Sequence, residues 1–340
     1  MRTLNRATTE LEAILQFNKT DPYSVAWKKD SNTTLSVAQT IYIGTTSGIF
    51  KFNEDDPITF TANPVAGTDY AIWCTPQKEL VADSSFVAAP VTGAVRVGGF
   101  HFAPGGNAPL DSNGDWQNHL GGDTTPQINE YSFYDLKFKP GSKDPRGLTL
   151  VAGSFWTGIY LLASDHMTGV PHRHGVSPAR DGNAPQKPFG GRYGNANWWN
   201  CSEALQFHGF RNPTGQEFQM LSIGVLENAS RGNDPVVTGL NVNNTGSQNP
   251  DQRFTSHWGV IQATGVIRPW GEEITVSSSN QETSGLQGRG DFNRFDRAAN
   301  FGGDWGVGAG SGSRGVVSNS PWSSSTSLSA RGVTRHVILV

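Results

Sequence analysis

NANWWNCSEALQFHGFRNPTGQEFQMLSIG, residues 195–224, spells the two helices on which the C-terminal half is built. Asn200 is placed to cap the first, with Glu203 three residues on, Leu205 and His208 on one face and Gly209 to stop it. Pro213 and Thr214 open the second. Thr214 with Glu217 forms a capping box, and Phe218, Leu221 and Ser222 follow on the side that turns inward. After residue 236 no long helical pattern returns. The sequence runs through Gly-rich and Trp-containing loops to VTRHVILV (333–340), an apolar strand that must be tied into a sheet to avoid becoming an aggregation edge.

N-terminal to these helices the period changes to two. SVAQTIYIG, ITFTANP, TDYAIWCT, SFVAAP and AVRVGGFHF read as short strands separated by Gly, Pro and Asp turns, a small all-β domain over 36–102. Ahead of it, Thr9 and Glu12 outline a capping box with Leu11, Ile14 and Leu15 on one face. That helix is too short to stand alone, so it docks either on its own domain or on copies of itself. The division is thus an N-terminal helical or attachment segment (1–35), a β domain (36–102), a linker or ordered insertion (103–145) and a C-terminal domain (146–340). The fold class is α+β.

Composition narrows the function. Of 340 residues, 41 are Gly, 10 Trp and 18 Phe, and the net charge of −3 lacks the basic field of a general nucleic-acid binder. No run is long and apolar enough to insert in a membrane, and the opening MRTLNRATTELEAILQF lacks the h-region of an export signal. Beyond Lys187 the 153 remaining residues carry 11 Arg, 11 acidic side chains and no Lys. Arg and Trp among Gly, Asn and Ser suit a recognition surface, while an aromatic core accounts for much of the Trp.

Catalytic signatures are missing. There is no G-x-S-x-G, H-E-x-x-H, Walker A or dinucleotide fingerprint. His172 and His174 read as loop histidines rather than metal ligands, and Cys74 and Cys201 as buried thiols. Adjacent Glu272 and Glu273 point to different faces, so they are not a catalytic pair. Arg289-Gly290-Asp291 spells an adhesion tripeptide of little weight in a Gly-rich stretch. We expect no enzyme, no cofactor and no metal among the site residues, while a metal ion that props the fold stays open.

From residue 146 onward the chain resembles the C-type-lectin-like fold shared with formylglycine-generating enzymes, through Trp199, Ala204, Gly209, Arg211, Pro213, Thr214, Glu217 and Phe218, then Gly265, Trp270 and Glu272. The end is more specific. FGGDWGVGAGSGSRGVVSNSPWSSSTSLSARGVTRHVILV (301–340) resembles the major tropism determinant family of phages and related variable proteins diversified by retroelements. That resemblance implies a fixed scaffold of Phe301, Gly302, Gly303, Trp305, Ser311, Gly312, Ser313, Arg314, Ala330, Arg331 and Gly332. It implies a receptor-binding set of Asp304, Gly306, Val307, Ala309, Val316, Val317, Ser318, Trp322, Ser323 and Ser325. Physical reasoning agrees in part: Gly302-Gly303 permits a tight turn, and the Arg314 fork suits loop carbonyls from within the domain.

The enzyme branch's cysteine pair and the calcium-lectin signatures do not occur. GTDYAIWCTP, AVRVGGFHFAPGG and YDLKFKPGSKDPRGLTLV resemble phage tail or tail-fibre proteins, and not the β-prism start of the family's type member, so a different graft is expected there. The resemblance therefore implies a virion-borne receptor-binding protein, a homotrimer joined to other tail proteins, that grips a protein or polysaccharide on the host surface. The competing readings are a virion decoration protein, a prophage or bacterial variable ligand-binding surface protein and an enzyme on the formylglycine-type scaffold.

Overall fold

The computed structural model describes residues 16–109, 123–234, 236–240, 251–275 and 297–340. The Thr9–Glu12 capping box, Arg289-Gly290-Asp291 and part of the 103–145 stretch lie outside them. Two compact units emerge. Unit 1 takes residues 1–107, 122–156 and 334–340, and unit 2 takes 108–121 and 157–333.

Unit 1 is nearly all β. Its strands in chain order are β1 (Phe17–Lys19), β2 (Trp27–Lys29), β3 (Leu35–Val37), β4 (Ile41–Thr45), β5 (Gly48–Phe52), β6 (Pro57–Phe60), β7 (Thr68–Cys74), β8 (Leu80–Asp83), β9 (Val95–Ala103), β10 (Gln127–Ile128), β11 (Tyr134–Asp135), β12 (Phe138–Pro140) and β13 (Leu148–Val151). Two strands cross the unit boundary, β14 (Phe155–Gly158) and, near the end of the chain, β19 (Val333–Ile338). An eight-stranded sheet runs β10-β9-β7-β8-β6-β3-β2 with β11 also on β9, a three-stranded sheet runs β1-β4-β5, and a third runs β12-β19-β14-β13.

Alternation along β7 sends Tyr70, Ile72 and Cys74 into one core with Trp27, Leu35, Val97, Phe100 and Phe102. Full burial of each such large apolar side chain is worth about 1.5–3 kcal/mol. A Cβ on Gly98 would strike the Trp27 indole and the Tyr134 carbonyl, so that glycine lets β11 close on β9 while Trp27 Nε1 donates to Tyr134 O at 3.0 Å. Both cysteines are free and buried, and burial pushes each thiol up to about 12.

Two expectations need correction here, the SFVAAP strand and the place of the terminal strand in the 146–340 domain, and one left open is filled in. SFVAAP is not a strand: Asp83 and Ser85 side chains accept from the backbone of Ser85 and Ala88, and Phe86 lies beneath the Arg96 and Arg146 guanidinium groups. The 103–145 stretch, read as a linker or an ordered insertion, supplies β10, β11 and β12 to unit 1 over residues 127–140. The terminal strand joins that unit also: β19 lies between β12 and β14, with Phe138 opposite Ile338 and Trp156 Nε1 donating to His336 Nδ1 at 2.8 Å.

Unit 2 holds α1 (Trp198–Phe207), α2 (Gly215–Leu221) and a sheet ordered β17-β16-β15-β18, formed by β15 (Arg268–Thr275), β16 (Arg297–Phe301), β17 (Val316–Asn319) and β18 (Leu328–Ser329). The α2 capping box is present, with Thr214 Oγ1 accepting from Glu217 N and Glu217 bonding back to Thr214 N. Helix α1 starts three residues earlier than expected. Asn197, not Asn200, is the N-cap, because its side chain accepts from Asn200 N at 2.9 Å while Asn200 turns back to Asn195.

Candidate functional site

The terminal segment of unit 2 separates into a buried frame and an exposed face. Arg331 is the centre of the frame. Fully buried, it donates through Nη1 to the carbonyls of Gly158 (2.7 Å) and Ile159 (2.8 Å), and through Nη2 to Ile261 (2.8 Å) and Gln262 (2.9 Å). One planar fork thereby satisfies four loop carbonyls from two chain segments, which a flexible ammonium cannot match. Beside it Gly158 N donates to Gly332 O at 2.9 Å, and a Cβ on Gly332 would strike His172 and Phe210.

Phe301 stacks on buried Phe218 with centroids 4.9 Å apart, and buried Trp270 donates to Ala196 O at 3.2 Å. Gly302 (φ 82°) and Gly303 (φ 77°) turn the chain where any Cβ would meet the Phe218 ring or the Ser311 side chain. Gly312 passes over the Glu227 carboxylate, which accepts from Ser313 N at 3.0 Å. Trp305 is half-buried against the cluster of Leu161, Val236, Phe254, Val266 and Ile267, with the Arg180 guanidinium 5.8 Å from its ring. The frame thus pins both ends of the 304–310 loop.

The face begins where these ties stop. Val316 is 61% exposed, Val317 46% and Trp322 71%, with Ser318, Gly306 and Ala309 also exposed. Val307, Ser323 and Ser325 are half-exposed; Ser325 shares a hydrogen bond with Ser327 and its carbonyl accepts from Asp181 N. Trp322 leans on Trp199, itself 44% exposed, with ring centroids 5.8 Å apart. Trp199 is braced edge-on by Trp198, whose Nε1 donates to Gly271 O at 2.8 Å and whose backbone N donates to Pro321 O.

Three residues change place relative to the sequence reading. Arg314 is exposed, and the interior role expected of it belongs to Arg331. Trp199 lies on the face, because Trp198 takes the inward position on α1. Asp304 is buried: it pairs with Arg268 at 3.1 Å and accepts from Gly306 N, so its carboxylate is committed to shaping the loop. Sequence reasoning also missed Glu227, Arg268 and Asn197. Glu227 and Arg268 lie 86 and 36 residues from their partners, with no local signal, whereas the Asn195-Ala196-Asn197 run did offer an alternative cap.

The other polar candidates are structural in position. His172 Nδ1 donates to Tyr160 O at 3.0 Å, and burial, helped by the Arg331 charge, pulls its pKa down to about 3. His166 Nδ1 lies 2.8 Å from His208 Nε2, and burial lowers the His166 pKa as well. Glu272 pairs with Arg211, while Glu273 accepts from Gly215 N at the start of α2. Among the described residues, no three His, Cys, Asp or Glu side chains converge to hold a metal, and no helix is long and apolar enough to cross a membrane.

Comparison with known proteins adds a second line. A family model described as the Mtd second domain matches residues 16–135. The tail fiber receptor-binding protein of Bordetella phage BPP-1 is 40% identical over 339 residues, spanning 95% of this chain and 85% of that protein. Among solved structures, the U1 and I1 variants of a Major Tropism Determinant each align with a TM-score of 0.83 at 39% identity, over 95% of this chain and 86% of theirs. The match over 16–135 corrects the expectation of a different graft at the N-terminal half, which is similar to the same proteins as the rest.

Proposed function

We propose a receptor-binding role for this chain, which belongs to the major tropism determinant family of phage tail-fiber receptor-binding proteins. In this reading it sits on the virion as part of a tail fiber, joined to other tail proteins, and attaches the particle to a host-cell surface receptor. Unit 2 acts as a C-type-lectin-like domain, and three copies assemble as a homotrimer. The role is adhesive, with no catalysis and no cofactor. Several modest sites on one particle then combine into firm adsorption.

The observation that carries this reading is the exposed apolar face of Val316, Val317, Trp322 and Trp199 on a frame locked by Arg331. Large aromatic side chains held in fixed rotamers bind at low entropic cost, because ordering has already been met in folding. Exposed substitutions there leave the frame's hydrogen bonds intact, so partner choice can change without refolding.

The test is adsorption blocking. Host cells are preincubated with purified protein, phage is added and unadsorbed particles are counted, beside a variant carrying Val317→Ser and Trp322→Ala. Wild type blocks adsorption and the variant does not. Blocking by neither protein would overturn the receptor-binding reading, and equal blocking by both would move the contact face elsewhere on the chain.

A further inference from the structure

Strand β17 is the outer strand of its sheet, paired only with β16 among the described residues. Its register sets Val316 opposite Phe301, Val317 opposite Asn300 and Ser318 opposite Ala299, and the ladder continues to Gly302 and Gly315, where Gly302 N donates to Gly315 O at 2.8 Å. In an antiparallel ladder hydrogen-bonded and non-bonded pairs alternate. The Gly302 N–Gly315 O bond flanks the Phe301–Val316 pair, which is therefore a non-bonded one, so Asn300–Val317 is bonded and Ala299–Ser318 is not. The N–H and C=O groups of Val316 and Ser318 therefore point away from β16. No hydrogen bond from them to any other segment is found among the described residues.

Soluble proteins guard such edges with lysine, proline or a bulge. This one has none. Its ladder is regular, and residues 315–330 contain no charged side chain. Val316 and Val317 stand exposed on opposite faces of the strand, and Trp322 with Trp199 follows just beyond its end.

We infer that β17 receives an extended, uncharged segment of a protein receptor as an added strand, an inference that rests on the receptor-binding reading. An extended main chain matches outward N–H and C=O groups repeating every second residue, and the two valines offer β-branched neighbours on both faces. The indole pair takes an apolar or proline side chain where the added strand passes Trp322. A saccharide could use the indoles but has no repeating donor–acceptor row to match the edge.

The experiment measures binding of labelled full-length protein to host cells. Val316→Pro and Ser318→Pro each delete one outward N–H while sparing the bonds to β16, and Val316→Thr keeps both the N–H and the branched shape. Each proline variant weakens binding by about tenfold or more, the threonine variant stays within about threefold of wild type, and thermal unfolding of all three matches wild type. Protease shaving of the cells abolishes wild-type binding, and mild periodate oxidation does not.

Proline variants that bind like wild type overturn the strand-addition proposal. So does binding that survives protease and is lost with periodate, which assigns the ligand to polysaccharide. A change of oligomeric mass in the proline variants also overturns it, since the edge would then pair with another copy of this chain. In all of these the wild-type protein binds cells; wild type that binds none removes the receptor-binding reading itself.

Discussion

Arg314 and Arg331 stand in one Gly- and Ser-rich segment, both beside glycine, yet one lies in solvent and the other at the centre of unit 2. The same contrast runs through the whole segment. Residues 301–303 and 328–333 are buried, whereas the side chains of 316–318 stand exposed on a strand held through its backbone by β16, and exposed Trp322 rests on Trp199. The difference is one of hydrogen-bond obligation. A buried carbonyl needs a donor, so the frame tolerates few side chains; an exposed valine needs nothing, so the face tolerates many.

Substitutions break or sharpen that contrast in descending order of stability effect. Arg331→Met takes the guanidinium donors from four buried carbonyls, of which Ile159 O keeps its bond from Ile261 N, and costs unit 2 about 4 kcal/mol or more, measurable as loss of its transition in calorimetry. A normal transition in that variant would show that the frame does not depend on Arg331. Gly303→Ala forces a side chain into a left-handed turn and against Ser311, and lowers stability by about 2–3 kcal/mol in urea titration.

The pH response tests the frame without disturbing its shape. His172 has a folded pKa of about 3 against about 6.5 when unfolded, so its contribution is present above pH 6.5 and is lost as pH falls towards 3, at about 1.4 kcal/mol per pH unit. Asp251, which burial pushes up to about 6, acts in the opposite sense: its folded form takes up a proton first as pH falls through 6, and stability gains from it. His172→Asn keeps a donor toward Tyr160 O and removes only the first effect. The midpoint of that variant therefore falls less steeply than wild type between pH 6.5 and 5, and equal slopes would refute the assignment. Smallest of all, Val317→Ser with Trp322→Ala changes stability by about 0.5 kcal/mol while adsorption blocking is lost.

How much of this was legible depended on where each partner lay. Thr214 and Glu217 meet three residues apart, so the α2 cap was readable, as were β7 and β9 from their alternation. The terminal strand was recognisable as a strand, but nothing in VTRHVILV says that most of it serves unit 1. Arg314 and Arg331 look alike locally, and only the carbonyls of residues 158–159 and 261–262 distinguish them. Asp304 reads as a free polar residue until Arg268 is brought beside it, and Trp198 and Trp199 exchange roles because the cap lies at Asn197.

The order of these parts along the messenger has a further consequence. Arg331 and residues 334–338 are translated after the whole of 304–325. A shifted reading frame or a stop codon arising among the face codons therefore removes the central arginine of unit 2 and a strand of unit 1 together. Such a chain lacks what both units need to fold, so errors in the most permissive stretch are discarded as misfolded product before assembly, while in-frame substitutions pass.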